Sequence, residues 1–124
     1  YKATAALPTR LIQNIAKPDV LLPYHHLVSD DEVLHTKHLY SHKNIQQFED
    51  DLDYLLRFFK PISTEDLINH IKKHQSLPAN RFLLSFDDGF REVYDIIAPI
   101  LLRKGVPAVF FINPAFIDNK ELFY

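Results

Sequence analysis

The chain has 124 residues, a formal net charge of −2 and 47% hydrophobic content, which is the composition of a globular domain. Its balanced charge argues against a nucleic-acid or polyanion surface, and the absence of cysteine removes disulfides and thiolate metal sites. No apolar run is long enough to predict a membrane span, and no basic start with an apolar core predicts a leader.

Residues 1–19 read as a helical lead-in. Leu11, Ile12 and Ile15 share one face, Pro8 precedes them and Thr9 stands as a cap. Val20-Leu21-Leu22 predicts a short apolar strand ending at Pro23, with Tyr24-His25-His26 after it. Residues 27–40 are polar, with Asp30, Asp31 and Glu32 together, and read as a long loop of the kind that often carries function. Ile45, Phe48, Leu52, Leu55 and Phe59 recur at three- and four-residue steps and predict a helix over 44–59. Asp50, Asp51 and Asp53 fall mostly off that stripe and read as a solvated face. Pro61 ends the helix and Ile62 marks a brief strand. Ser63 or Thr64 then caps a second helix, with Glu65 and Asp66 at its positive end and Lys72, Lys73 and His74 at its negative end. Leu67, Ile68 and Ile71 are its predicted buried face, and Pro78 lies in the loop that follows.

A strand is predicted over 82–86, a helix over 90–104 and a strand over 106–112. Val93, Ile97, Ile100 and Leu101 set the helix face and Lys104-Gly105 its end, while Pro99 should kink it. Strand, helix, strand makes a right-handed crossover between parallel strands. Phe110 and Phe111 are both read as core, and Asn113-Pro114 as a turn.

The segment that carries chemistry is Phe82-Leu83-Leu84-Ser85-Phe86-Asp87-Asp88-Gly89. A buried strand ends at two carboxylates and one of only 2 glycines. Ligands of parallel α/β folds gather at the carboxyl ends of strands. There one carboxylate can hold a cation while the other takes a proton from water. Asp-Gly is also an ordinary turn signal and Asp an ordinary helix cap. Of the 7 histidines, only His25 and His26 follow a predicted core strand, so either could sit on the rim of such a site. His35, His38 and His42 lie in the polar loop, and His70 and His74 share a helix face with no third ligand beside them.

Ser85-Phe86-Asp87-Asp88-Gly89, with Pro107-Ala108-Val109-Phe110-Phe111-Ile112 further on, resembles the polysaccharide deacetylase family (carbohydrate esterase family 4). That family has a Thr/Ser-Phe-Asp-Asp-Gly motif and a following Ala-Thr-Phe-Phe-Val strand, and Val109 stands here in place of the Thr. Tyr24-His25-His26 and the stretch from Phe48 to Leu55 with Ile62-Ser63 resemble one branch of it, so the likeness runs over about residues 20–118. The resemblance implies a deformed (β/α) barrel that removes N-acetyl groups from a polysaccharide or glycan. It implies Asp87 as catalytic base and Asp88 as ligand to a divalent metal, expected to be zinc.

The family's His-Ser/Thr-X-X-His segment, which completes the metal site, does not occur before Tyr124, nor do the downstream arginine, aspartate and general-acid histidine motifs. The chain is therefore expected to be a partial (β/α) barrel, the N-terminal half of the domain, with 1–19 as lead-in and 20–124 as the deacetylase-like part. Its start at Tyr1 and its lack of methionine fit an excised or processed piece. The competing readings are a non-catalytic fragment that binds carbohydrate or a partner chain, and a Mg²⁺-dependent phosphoryl-transfer enzyme, the latter weakened by the absence of a phosphate-cradling glycine loop. The expected partner is an N-acetylated polysaccharide or glycan, and the sequence does not choose between a bacterial envelope and a cytoplasmic location. Self-association through the open edge at 106–112 is expected as well.

Overall fold

The computed structural model describes residues 20–34 and 36–114. The predicted lead-in at 1–19, His35 and the residues after 114 lie outside the described residues. In chain order the elements are β1 (Val20–Leu21), β2 (Tyr24–His25), α1 (Ile45–Phe58), β3 (Lys60–Pro61), α2 (Thr64–Lys72), β4 (Arg81–Phe82) and β5 (Leu84–Phe86). A π-helical stretch (Val93–Ile97), α3 (Ala98–Lys104) and β6 (Ala108–Phe110) follow.

All strand pairs are parallel, in the orders β1-β4-β3 and β2-β5-β6. The two three-stranded sheets share one spine. β1 and β2 run along the same side of 81–86 in a single register, Val20 opposite Arg81 and His25 opposite Phe86. The Leu83 N–H donates to Leu21 O (2.9 Å) and the Ser85 N–H to Pro23 O (3.1 Å), so the ladder crosses Pro23 unbroken. The strand predicted to end at Pro23 therefore extends to His25. Proline removes a donor, but the Pro23 carbonyl still accepts. The other side of 81–86 is divided. The Ile62 N–H donates to Phe82 O (2.9 Å) at its start and the Phe111 N–H to Phe86 O (2.8 Å) at its end. β3 thus covers the amino half and β6 the carboxyl half.

α1 forms where the apolar stripe predicts it. Asn44 accepts from the Gln47 N–H (2.8 Å) while Gln47 Oε1 accepts from the Asn44 N–H (3.1 Å), a reciprocal cap that satisfies two orphan donors of the first turn. Ser63 caps α2 through the Asp66 N–H (3.1 Å). Pro99 does not simply kink the third helix. Its ring would meet the Asp95 carbonyl and it has no N–H to donate. The chain widens before it instead: the Ala98 N–H reaches back five residues to Val93 O, which leaves Pro99 in the first turn of α3, where proline is tolerated. Gly105, at φ 65°, closes α3 in the left-handed conformation.

One apolar cluster holds the sheet to the helices: Phe48 and Leu52 of α1, Phe82, Leu84 and Phe86 of the spine, and Ile97, Ile100 and Leu101 around α3. His25, Phe86 and Phe110 stack in a row across β2, β5 and β6, with ring centroids 5.8 and 5.3 Å apart, and Phe48 abuts the first two. Strand residues alternate, so Tyr24, Ser85 and Val109 face the opposite way. Both α1 and α3 therefore cover the same face of the sheet.

Two core expectations are corrected. Leu67, Ile68 and Ile71 do not form a buried face, since no residue of α2 is buried and Ile71 is 60% exposed. Phe110 and Phe111 are not core either, at 39% and 58% exposed. In α2 the pattern marks an apolar face, but burial needs a second layer against it, and no described element supplies one; Phe110 shares the helix-covered face with Phe86 but sits on the outermost described strand, and Phe111 points the other way.

Candidate active site at the carboxyl end of the spine

The spine ends by a sharp reversal. The Asp87 N–H still donates to His25 O (3.0 Å), the last rung of the parallel ladder. The Gly89 N–H then donates back to Asp87 O (2.9 Å), a three-residue turn with Asp88 at its centre at φ 72°. Positive φ is costly for a side-chain-bearing residue and less so for Asp, whose short polar side chain tolerates it. Strained backbone of this sort gathers at functional sites. Gly89 follows at φ 71°, with Ile112 lying directly over it: a Cβ there would stand 2.9 Å from Ile112 Cγ2.

This turn presents both carboxylates to a cleft of about 400 Å³ lined by His26, Asp87, Asp88, Phe111, Ile112, Asn113 and Pro114. His26 Nε2 stands 3.8 Å from Asp88 Oδ2 and 4.0 Å from Asp87 Oδ2, an ion-pair distance whenever the imidazole is protonated. All three side chains are partly open to solvent, at 34% for His26, 37% for Asp87 and 23% for Asp88.

The two adjacent histidines go opposite ways. His25 stacks on Phe86 and abuts Phe48. It does not line the cleft. Burial there pushes its pKa below the ordinary 6.5; the Lys43 ammonium adds to this, Asp51 opposes it, and His26 adds a little more. His26, one residue on, turns out toward the acid pair, with its ring against Tyr24 (5.8 Å) and Tyr40 (5.2 Å).

Tyr40 beside His26, and Phe111 and Ile112 across the cleft, are rim residues that pattern reading passed over, and Asn113, which could reach the site mouth but is read as a turn, also lines the cleft. The signal for the residues across the cleft was available. Parallel strands end on one edge, so the residues just after β6 must share the rim with those just after β5. The acidic residues of α1 stand apart from the cleft: Asp51 is ion-paired with Lys43, and Asp53 with Lys104. Among the described residues no group of three histidine, cysteine, aspartate or glutamate side chains is placed to hold a metal ion. A catalytic zinc commonly takes three protein ligands. His26, Asp87 and Asp88 by themselves therefore do not fit such a centre. Among the described residues no helix is long and apolar enough to cross a membrane.

Parallel strands, helices on one face and an acid pair at the strand ends define an α/β protein with a candidate hydrolytic site. Residues 74–123 match the polysaccharide deacetylase family model, over the segment that holds Ser85-Phe86-Asp87-Asp88-Gly89. The fold is similar to that of a de-N-acetylase from Aggregatibacter actinomycetemcomitans, at 24% identity and TM-score 0.70, over 85% of this chain and 42% of that one. It is also similar to the Streptococcus pyogenes deacetylase PplD, solved with acetate, at 16% identity and TM-score 0.66, over 80% and 44% of the two chains. The deacetylase domain of BpsB from Bordetella bronchiseptica is a further likeness, at 23% identity and TM-score 0.55, over 81% and 38%. The chain spans less than half the length of each of these structures. No curated protein matches it.

Proposed function

We propose that the chain is the N-terminal portion of a polysaccharide de-N-acetylase domain, a partial (β/α) barrel with 20–124 as its deacetylase-like part and 1–19 as a lead-in. The observation that carries this reading is the pair Asp87 and Asp88, held at the carboxyl end of the central parallel strand and open to one cleft with His26. The placement of α1 and α3 on one face supports the barrel, because a barrel wall carries its helices outside and only side chains inside.

In this reading water attacks the acetamide carbonyl of an N-acetylated glycan. Asp87 accepts the proton that the water loses as the new C–O bond forms. The C–N bond then breaks, giving acetate and a free amine that takes up a proton. Asp88 is the described residue that would hold a divalent metal, which the family resemblance implies is zinc, and it would not hold it alone. When bound, such a metal would make a water easier to deprotonate. His26 lies within 4 Å of both carboxylates, at ion-pair distance.

The test is acetate release from N-acetylated oligosaccharides by the full-length protein, with metal content measured in parallel. Asp87→Asn should keep its metal and lose about two to four orders of magnitude in rate. Asp88→Ala should lose metal. A wild type that binds the oligosaccharide without releasing acetate would favour a carbohydrate-binding module instead. Equal loss of metal in both variants would show that base and ligand are wrongly assigned.

A further inference from the structure

We infer that the opposite, amino end of the sheet carries a second binding site, one that takes a phosphate group. Lys37, Lys43, Arg91, Arg103 and Lys104 each stand at a carboxylate. Among the described residues the lysines and arginines that do not are Arg57, Lys60, Lys72, Lys73 and Arg81. They share one end of the fold. Arg57 lies in the last turn of α1, just before β3, while Lys60 opens β3 and Arg81 opens β4. Lys72 and Lys73 end α2, which links two parallel strands and so must run back from the carboxyl end of β3 to the amino end of β4. From Tyr54 to Arg81 the only carboxylates are Glu65 and Asp66, in the first turn of α2 and so at its other end. A chain of net charge −2 thus gathers the unpaired cations of its described residues along one edge.

Three of these cations converge. Arg57, Lys60 and Arg81 line one hollow of about 330 Å³, together with Phe58 and Asn80. That volume suits a small ligand. Lys60 and Arg81 are register partners on neighbouring parallel strands, so their side chains leave the same face. Like charges side by side in a sheet repel, and a bound anion removes that cost. The walls are set before binding: the Lys60 N–H donates to Asn80 O (3.0 Å), and the Arg57 guanidinium lies 5.5 Å over the Phe58 ring. Guanidinium forks match the oxygens of a phosphate in pairs, and an ammonium adds a point charge. A phosphate group carries a charge of about −1.5 to −2 near pH 7, so it answers several cations better than one carboxylate does. Arg81 and Asp87 lie at opposite ends of the spine, about 20 Å apart at the rise of a strand. The hollow therefore stands apart from the acid-pair cleft and from whatever chemistry Asp87 and Asp88 perform.

The experiment titrates the full-length protein with inorganic phosphate, with glucose 6-phosphate, and with vesicles of phosphatidylcholine with and without phosphatidic acid, all at one ionic strength. Wild type should bind at least one phosphate probe saturably, with a Kd of about 1 mM or tighter for a soluble one. Saturation by phosphate or glucose 6-phosphate identifies a soluble ligand, and binding to phosphatidic acid vesicles alone identifies a lipid headgroup. Arg81→Gln and Lys60→Gln should each weaken that binding about tenfold. Both should leave acetate release from a neutral N-acetylated oligosaccharide within about twofold of wild type. Without phosphate, Arg81→Gln should unfold no earlier than wild type, because the repulsion from Lys60 is gone. No binding of any probe by wild type, variants that bind as wild type does, or an effect that sodium chloride reproduces would overturn the site. Earlier unfolding of Arg81→Gln would overturn it too, since Arg81 would then be held by a carboxylate elsewhere in the full-length protein.

Discussion

The two glycines offer a controlled comparison, because they share a backbone conformation and differ in what surrounds them. Gly89 has φ 71° and Gly105 φ 65°, so an alanine at either must enter the left-handed region, which costs roughly 1–2 kcal/mol. Reduced freedom of the unfolded chain returns about 0.4–1 kcal/mol. Gly105→Ala meets nothing within 4 Å and should therefore destabilise by no more than about 1.6 kcal/mol. Gly89→Ala places its methyl 2.9 Å from Ile112 Cγ2, 3.4 Å from its Cβ and 3.5 Å from its Cα. The contacts with Cβ and Cα are ordinary, but the 2.9 Å approach to Cγ2 requires a shift, and a β-branched side chain packed over the turn has few rotamers to give, so the turn or the end of the β6 segment yields with it. Overpacking of this kind costs about 1–3 kcal/mol more. The variants should differ by about that amount in urea unfolding of the full-length protein. On the proposed function, Gly89→Ala alone should also lose acetate release in excess of its stability loss, since the same shift moves Asp88. Equal destabilisation by the two alanines would refute the reasoning, because it would mean that Ile112 does not rest on the turn.

Phe48→Ala should cost about 3–5 kcal/mol, since the ring is fully buried between His25 and Phe86 and leaves a cavity; thermal or denaturant unfolding measures it. His25 ties stability to pH. Its folded pKa lies below the ordinary 6.5, so the folded state binds fewer protons, and stability should fall as pH drops through that value. His25→Phe should reduce the loss between pH 7 and pH 5, and an unchanged loss would show that the ring is not desolvated. The isolated 124-residue chain should self-associate, because β6 is an edge among the described strands and Phe111 and Ile112 beside it are 58% and 67% exposed. Light scattering that finds a monomer across a wide concentration range would refute this.

Local chemistry made several features legible from residues alone. The apolar run before Asp87-Asp88-Gly89 specifies a buried strand and its end, because backbone pairing and a glycine turn are short-range effects. The stripe from Ile45 to Phe59, the Ser63 cap and the Gly105 stop are likewise written within a turn or two of where they act. Tertiary structure decided what depends on distant partners. Whether His25 or His26 meets the carboxylates turns on the ladder continuing across Pro23, since a shift of one residue exchanges the two faces. The division of the spine's second side between β3 and β6 was likewise beyond local pattern, as pairing of distant segments leaves no periodic trace. Pro99 announced a defect in the helix, but only the packed structure chose a widened turn over a bend. Leu67, Ile68 and Ile71 mark an apolar face that no described element covers. Periodicity in a sequence records which side of an element is apolar; what lies against that side is a property of the assembled layers.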